Sequence, residues 1–223
     1  MSVIALTASG DEPTVVTSND AFDRDGCAIL IQNGDPAQLA CDAHECNASY
    51  DLRVGQIYRD HRNREGQQIG PNDPIMLLPG NAVIIETEEL VKFPKSRFGQ
   101  ILPKVSLLQT GIANTPSKVD PGYEGHLLIT AFNHGKRPAS LQRYQPFCSL
   151  HIFDVIGALR PYDKEGKRIE GVRRGTGWKR QMADWIDANI ARVTFLQTAF
   201  GLLTLLVGIA ALVIAILAYA APR

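Results

Sequence analysis

Residues 119–127, VDPGYEGHL, bring a carboxylate and an aromatic ring to a single turn. Pro121 presets φ for such a turn, Gly122 tolerates positive φ, and the apolar run from His126 onward favours a β-strand. Asp120 and Tyr123 could take part in chemistry at this turn. The same turn could equally serve only to reverse the chain, so the sequence leaves the roles of Asp120 and Tyr123 open at this point.

The elements that must position this turn are short strands. From residue 47 onward, β-favouring segments alternate with Gly, Pro and Asn, whereas no helical period of any length precedes residue 178. This pattern predicts a mainly β protein, with a sandwich or barrel over residues 1–155. The predicted strands are residues 27–31, 49–58, 74–78, 82–90, 125–132, 139–144 and 147–155.

Composition excludes some classes of partner and cofactor. The chain has 223 residues, and 23 Lys and Arg balance 23 Asp and Glu, so no basic field predicts binding to nucleic acid. Cys41 and Cys46 enclose His44, but no second pair with metal-ligand spacing follows. We therefore predict no metal site and interpret the four cysteines as reduced thiols of a cytosolic protein.

The C-terminal quarter changes character twice. Residues 156–177 are charged and Gly-rich, which predicts a mobile arm or linker. Residues 178–198 predict an amphipathic juxtamembrane helix whose apolar face could meet the membrane interface, the β domain or neighbouring helices. Residues 199–221 carry no charge over 23 residues. A helix of that length spans roughly 35 Å, so we predict a transmembrane helix. Basic residues precede this span, which predicts a tail-anchored protein with its N-terminal domain in the cytoplasm.

Five sequence blocks occur in a fixed order: SYDLRVG (49–55), LLPGNAVIIETEELVKFP (77–94), PKVSLLQTGI (103–112), VDPGYEGHLLITAFNHG (119–135) and LQRYQPFCSLHIFD (141–154). Together they resemble the dCTP deaminase / dUTPase family over about residues 45–175. The resemblance implies a dUTPase-like β fold, a homotrimer with active sites between subunits, and a deoxynucleoside triphosphate substrate that carries Mg²⁺ on its phosphates.

The resemblance also implies roles for individual residues. Tyr123 would lie against the sugar and reject a ribose 2′-hydroxyl, and Asp120 would orient the attacking water or bind the 3′-hydroxyl. Lys104 and Ser106 correspond to the family's phosphate-binding block, which usually begins with arginine. Lysine there retains the charge but lacks the bidentate fork of arginine, and Val105 replaces a hydroxyl donor.

Two further positions argue against deamination. Thr130 aligns with the catalytic glutamate of the deaminases, and a threonine hydroxyl cannot shuttle protons at neutral pH. Gln109 aligns with an arginine of the deaminases. Both remain predicted substrate-binding positions, but we expect deamination to be lost.

The segment RRGTGW (173–178) resembles the Gly-rich C-terminal segment that closes over the nucleotide in this family. On that interpretation Arg174 would meet phosphate and Trp178 would cap the base. A flexible basic linker in front of a membrane helix would have the same composition, so this alternative stays open.

Three hypotheses remain. The first is an enzyme on a deoxynucleoside triphosphate, more plausibly a dUTP diphosphatase, forming dUMP and pyrophosphate, than a dCTP deaminase. The second is a catalytically degenerate nucleotide-sensing module that signals through its membrane helix. The third is a structural trimeric interaction module. The sequence does not name the base.

Overall fold

A computed structural model describes residues 3–8, 13–40, 46–61, 65–70, 73–157, 160–172 and 190–220. The chain divides into two compact units, Met1–Thr176 and Gly177–Arg223. The first unit is built from strands, and the described part of the second is one helix.

The first unit is mainly β, as predicted, and each of the predicted strand segments overlaps a strand. The strands are β1 (Val15–Val16), β2 (Ile29–Gln32), β3 (Tyr50–Asp60), β4 (Gln67–Gln68), β5 (Ile75–Leu77), β6 (Ala82–Lys92), β7 (Arg97–Pro103), β8 (Ile112–Asn114), β9 (Ser117–Val119), β10 (Glu124–Asn133), β11 (Ala139–Leu141) and β12 (Pro146–Asp154). Two short helices interrupt them, α1 (Pro36–Leu39) and α2 (Val105–Gln109), and a 3₁₀ turn covers Asn19–Ala21.

Strand β6 is the centre of the main sheet. It pairs antiparallel with β10 along one edge and with β2 and β3 along the other. The sheet continues from β3 through β12 and β7 to β9, while β5 and β11 form a separate pair. The antiparallel neighbours β12, β7 and β9 therefore lie side by side at the end of the sheet that carries the turn at Asp120.

The core lies under alternate residues of β6 and β10, because successive side chains of a strand point to opposite faces. Val83, Ile85 and Val91 on β6 are buried, as are Leu127 and Ile129 on β10. The largest fully buried side chains are Tyr50, Phe93 and Phe147. These side chains join the strands of the first unit into one hydrophobic cluster.

A buried ion pair crosses from β3 to β6. The Glu89 side chain is fully buried, and its carboxylate accepts a hydrogen bond of 2.6 Å from Arg53 Nε, with a further bond of 3.0 Å from Arg53 N–H. Tyr50 Oη donates to the same carboxylate at 3.0 Å and accepts from Asp35 N–H at 2.7 Å. Burial, followed by the Glu89 charge, raises the pKa of Tyr50 well above its ordinary value. The Glu89 carboxylate thus holds two strands in register.

One expectation about the cysteines is wrong. Cys46 forms a disulfide and is not a reduced thiol, and His44 lies outside the described residues. Cys27 and Cys148 are free thiols, as predicted. The described residues contain no group of three or more His, Cys, Asp or Glu that could hold a metal ion.

The second unit is described from Ile190. A single helix, α3 (Ile190–Ala220), contains a stretch, Thr194–Ile214, with a mean hydropathy of 2.2, long and apolar enough to cross a membrane. This helix continues through the boundary predicted at residue 198, because no Pro or cluster of charges between 194 and 205 would end it. Residues 178–189 of the predicted amphipathic segment lie outside the described residues.

Candidate functional site

The turn between β9 and β10 has the geometry that its sequence predicts. Tyr123 N–H donates to Asp120 O at 3.1 Å, and Gly122 has a φ of 82°. Pro at the second position and Gly with positive φ at the third define a type II turn. Asp120 and Tyr123 therefore lie at the two ends of one four-residue turn.

The two strands that leave this turn diverge. β9 pairs with β7 and β10 pairs with β6, and the described strands β9 and β10 do not pair with each other. A cavity of about 170 Å³ fills the gap between them. We call this cavity the hairpin slot. Its polar lining residues are Ser117, Lys118, Tyr123, Tyr162 and Lys167.

Backbone groups of β10 face the hairpin slot. Leu127 N–H points toward β6, because it donates to Thr87 Oγ1 at 3.0 Å. Thr130 O points the other way, because it accepts from Thr115 N–H at 2.9 Å. Since backbone groups alternate between the two edges of a strand, the N–H and C=O of Leu128, a lining residue, lie on the slot edge. A flat ligand could thus bond to this edge as a neighbouring strand would.

Tyr123 is fixed at one side of the slot. Its hydroxyl donates to His126 O at 2.5 Å, and His126 Nδ1 donates to Thr87 O at 2.9 Å. Burial, with the nearby charges of Tyr162 and Glu86 adding to it, raises the pKa of Tyr123 to about 12. The phenol is therefore neutral at physiological pH and presents a fixed ring face.

Asp120 stands at the surface beside a lysine. Lys118 Nζ donates to Asp120 Oδ1 at 2.7 Å, and 37 % of the Asp120 side chain is exposed. The carboxylate can thus be reached by water. A group that orients or activates a water molecule must lie within hydrogen-bond reach of it.

The predicted phosphate-binding residues form a second cluster. Lys104 precedes α2, and Ser106 and Gln109 are exposed residues of that helix. The Lys104 ammonium is bound by Asp51, whose other carboxylate oxygen accepts a hydrogen bond of 2.6 Å from Ser149 Oγ. A phosphate that binds Lys104 must therefore compete with Asp51 or add to this pair.

The structure places the two clusters far apart within the chain. In the pairing of β7 with β9, Gly99 lies opposite Val119, so Asp120 is level with Phe98. Lys104 follows Phe98 by six residues along the same extended strand. At a rise of about 3.3 Å per residue, roughly 20 Å separate them. Asp120 and Lys104 of one chain cannot hold adjacent atoms of a small ligand.

Thr130 belongs to neither cluster. It lies on β10 opposite Ile84 of β6, on the face of the sheet away from the core. Position 130 carries a threonine hydroxyl and no carboxylate, as the sequence shows. Arg174 and Trp178 lie outside the described residues.

Sequence reasoning missed Lys118, Tyr162 and Lys167 as lining residues of the slot. A signal was present for two of them. Lys118 immediately precedes the Val-Asp-Pro-Gly turn, and Tyr162 is the sole aromatic residue among the charges of residues 160–172. Lys167 is one of many charges in that segment and carries no signal of its own.

Comparison with known families fixes the class of this β domain. Residues 19–155 match the family model described as dCTP deaminase-like. The chain belongs to the dCTP deaminase-like family.

Some relatives are named dCTP deaminase and others deoxyuridine 5'-triphosphate nucleotidohydrolase. The chain is 26% identical over 166 residues to "dCTP deaminase, dUMP-forming" of Nanoarchaeum equitans, which covers 59% of this chain and 84% of the relative. It is 35% identical over 97 residues to the dCTP deaminase of Pasteurella multocida, covering 42% and 50%. It is 24% identical over 141 residues to the deoxyuridine 5'-triphosphate nucleotidohydrolase of Clostridioides difficile, covering 57% and 94%. The chain thus spans about half the length of the second relative and most of the other two.

Solved structures that match part of this chain include the 2'-deoxycytidine 5'-triphosphate deaminase of Agrobacterium tumefaciens. Its TM-score is 0.42 at 16% identity, covering 52% of this chain and 42% of that one. The dUTPase of Staphylococcus bacteriophage 80alpha gives a TM-score of 0.43 at 14% identity, covering 63% and 99%.

Proposed function

We propose that the chain binds a pyrimidine deoxynucleoside triphosphate and hydrolyses it to the monophosphate and pyrophosphate, with dUTP as the expected substrate. Membership of the dCTP deaminase-like family supports a nucleotide-processing function, and a relative named deoxyuridine 5'-triphosphate nucleotidohydrolase supports this reaction. Thr130 and Gln109 argue against deamination, as set out above.

The hairpin slot is the observation that carries the proposal. Small-molecule pockets usually measure roughly 300–1,000 Å³, so a cavity of about 170 Å³ suits one part of a ligand, such as a single ring. The free backbone edge at Leu128 offers a donor and an acceptor to the base, and the ring face of Tyr123 offers a surface for the sugar. The Asp120 carboxylate lies at the end of the same turn.

The reaction follows from that arrangement. Asp120 accepts a proton from a water molecule, the water oxygen forms a bond to the α-phosphorus, and the bond from this phosphorus to the bridging oxygen breaks. Pyrophosphate leaves with the electrons of that bond. Mg²⁺ arrives on the triphosphate as part of the substrate and neutralises charge on the phosphate oxygens.

A complete site on this scheme needs two copies of the chain. Because about 20 Å separate Asp120 from Lys104 within one subunit, the phosphates of a nucleotide bound at the hairpin slot meet Lys104 and Ser106 of a neighbouring subunit. We propose a homotrimer, the assembly that the family resemblance implies.

The first prediction concerns this assembly. Residues 1–176, which form the first compact unit, should be trimeric at micromolar concentration, because the interface belongs to the β domain and not to the helix. Light scattering coupled to size exclusion measures the mass directly. A monomer that nevertheless hydrolyses dUTP would contradict the shared site.

The second prediction concerns Tyr123 and tests whether its ring contributes to a nucleotide site or only shapes the turn. Tyr123→Phe loses one hydrogen bond to His126 O, which costs about 1 kcal/mol of stability, but it keeps the ring and deoxynucleotide binding. Tyr123→Ala should weaken dUTP binding about tenfold or more and reduce any preference over UTP, because the ring no longer excludes a 2′-hydroxyl.

Calorimetric titration of the wild type and both variants with dUTP, UTP, dCTP and CTP measures these effects. Equal affinity of the wild type for ribo and deoxy forms would show that Tyr123 does not read the sugar.

We also propose that α3 anchors the protein in a membrane, with the β domain in the cytoplasm. The length and hydropathy of Thr194–Ile214 support the span. The excess of Lys and Arg on its N-terminal side supports the orientation.

A second candidate function, nucleotide sensing without turnover, has one observation in its favour. Both charged groups of the scheme are already paired within the chain, Lys104 with Asp51 and Asp120 with Lys118. Binding of dUTP without release of pyrophosphate would favour the sensor, and binding of none of the four nucleotides would favour a structural trimer module.

A further inference from the structure

The disulfide of Cys46 belongs to a domain that we have proposed to lie in the cytoplasm. Cys46 is disulfide-bonded and partly exposed, and it precedes β3 by four residues. The cytosol keeps most thiols reduced, and the disulfides that do form there are usually transient and redox-sensing rather than structural. A cytosolic disulfide at the surface is therefore a group that can respond to the redox state of its surroundings.

The residue after Cys46 is bound to helix α1. Asn47 Nδ2 donates to Gln38 O at 2.8 Å, and Asn47 O accepts from Leu6 N–H at 2.8 Å. Gln38 is the third residue of α1. The hydrogen bond between Asn47 and Gln38 thus joins the two ends of the chain segment that connects α1 to β3, and Cys46 lies on this segment.

The Gln38 side chain binds the backbone of Asp51 at the start of β3. Its Nε2 donates to Asp51 O at 3.2 Å, and its Oε1 accepts from Asp51 N–H at 2.7 Å. One amide side chain therefore makes both of the hydrogen bonds that a neighbouring strand would make with this residue. A change in the position of α1 is transmitted directly to the Asp51 backbone.

The Asp51 carboxylate is the last member of this series of contacts before the predicted phosphate-binding residue. One carboxylate oxygen binds the Lys104 ammonium, and the other accepts a hydrogen bond of 2.6 Å from Ser149 Oγ. A nucleotide phosphate that binds Lys104 has to displace or share this carboxylate. The more firmly the Asp51 backbone is held, the more the exchange of carboxylate for phosphate costs.

We propose that the Cys46 disulfide is a redox switch that sets the affinity of Lys104 for the phosphates of the nucleotide, through Gln38 and Asp51. This inference rests on the proposed nucleotide site. An intact disulfide restricts the segment that connects α1 to β3, so Gln38 stays bound to Asp51 and Asp51 stays bound to Lys104. Reduction gives the segment more freedom, and the lysine is more easily released to the phosphate.

The reductive step is a thiol–disulfide exchange with a dithiol reductant. One thiolate of the reductant attacks a sulfur of the protein disulfide and forms a mixed disulfide, and the second thiolate then displaces the protein sulfur. The reductant is oxidised to its own disulfide. Its two electrons and two protons pass to Cys46 and to the cysteine bonded to it, which become thiols. Glutathione disulfide reverses the step and is itself reduced to two molecules of glutathione.

The test uses the full-length chain in detergent and dUpNHpp, a dUTP analogue whose imido bridge replaces the scissile oxygen. Calorimetry compares the chain oxidised with glutathione disulfide and the chain reduced with dithiothreitol. Reduction should strengthen dUpNHpp binding about fivefold, the lower end of typical coupling between two sites. Cys46→Ser should bind as the reduced wild type does under both conditions. Cys27→Ser is the matched control, because Cys27 is an exposed free thiol, and it should keep the fivefold difference.

A second pair of variants tests the route. Gln38→Ala leaves the disulfide in place but removes both side-chain bonds to the Asp51 backbone. It should bind dUpNHpp as the reduced wild type does and lose the response to dithiothreitol. Gln142→Ala removes an exposed glutamine from the turn between β11 and β12, and it should leave the response unchanged.

The outcomes separate the inference from the proposed function. Equal dUpNHpp affinity of the oxidised and reduced wild type overturns the switch and leaves the proposed function standing. A response to dithiothreitol that persists in Gln38→Ala also overturns the inference. Alkylation in denaturant, followed by mass spectrometry of the peptides, reads the state of Cys46, and a Cys46 that is alkylated in the oxidised chain overturns it as well. Failure of the wild type to bind dUpNHpp in either state overturns both the inference and the proposed function.

Discussion

Replacing Asp120 by asparagine should slow hydrolysis of Mg²⁺-loaded dUTP by about 100-fold or more, a typical contribution of a general base. Asparagine suits the first position of the turn, so the hairpin and the Tyr123 ring remain in place. It cannot accept the proton of the attacking water at neutral pH. Release of pyrophosphate under saturating dUTP measures the effect on turnover, and calorimetry should show dUTP binding within a few-fold of the wild type.

A matched control exists elsewhere on the surface. Asp25 is an exposed carboxylate held by Lys95 at 2.6 Å, as Asp120 is held by Lys118. Asp25→Asn should therefore leave turnover unchanged, since Asp25 does not line the hairpin slot. Equal turnover rates of the wild type and Asp120→Asn would show that Asp120 is not the general base.

Replacing Glu89 by alanine should lower the free energy of unfolding of the β domain by about 3–5 kcal/mol, the cost of breaking a buried ion pair from one side. Glu89 is fully buried, and its loss leaves the Arg53 guanidinium, the Arg53 N–H and the Tyr50 hydroxyl without their acceptor. Denaturant unfolding of residues 1–176, followed by circular dichroism, measures the difference.

The neighbouring Glu88 provides the control for this prediction. Glu88 pairs with Arg143 at 3.4 Å, and both side chains are partly exposed. Glu88→Ala should cost about 1 kcal/mol or less, since a partly exposed pair contributes little. The double replacement Arg53→Met, Glu89→Leu should recover part of the loss from Glu89→Ala, because no unpaired charge then stays in the core. A loss for Glu88→Ala as large as that for Glu89→Ala would contradict the assignment of stability to the buried pair.

The strands that the sequence predicts are rich in apolar and β-branched residues, such as β6 (AVIIETEELVK) and β10 (EGHLLITAFN). Strand β7 (RFGQILP) is not predicted, because Gly99 and Gln100 interrupt it and leave only Ile101 and Leu102 as adjacent apolar residues. The fold nonetheless requires glycine there, since a Cβ on Gly99 would stand 2.8 Å from the Phe93 ring. Helix α2 is not predicted either, because five residues are too few to show a helical period of hydrophobic residues.

The candidate site likewise has one part that the sequence predicts and another part that it does not. Local chemistry predicts the turn at Asp120 and Tyr123, because Pro and Gly fix its backbone without help from distant residues. The pairing of Lys104 with Asp51 depends on two residues 53 positions apart, and the contact of Tyr162 with Tyr123 depends on how the arm folds back. Contacts of this kind have no local signature: the chain shows Tyr162 as a lone aromatic residue but does not show which residue it contacts.

The two lysine–aspartate pairs have a consequence for how fast a nucleotide can find the site. A triphosphate approaching a cluster of free ammonium groups is steered by their field, and its association rate falls steeply as salt is added. Lys104 and Lys118 each stand beside an aspartate that cancels most of that field at a distance. Capture of the nucleotide should then depend less steeply on ionic strength than capture by free ammonium groups, and Lys167 is the lining residue of the slot whose charge still attracts the triphosphate. The attraction between phosphate and ammonium begins only at contact, when an incoming phosphate oxygen takes the position of an aspartate oxygen.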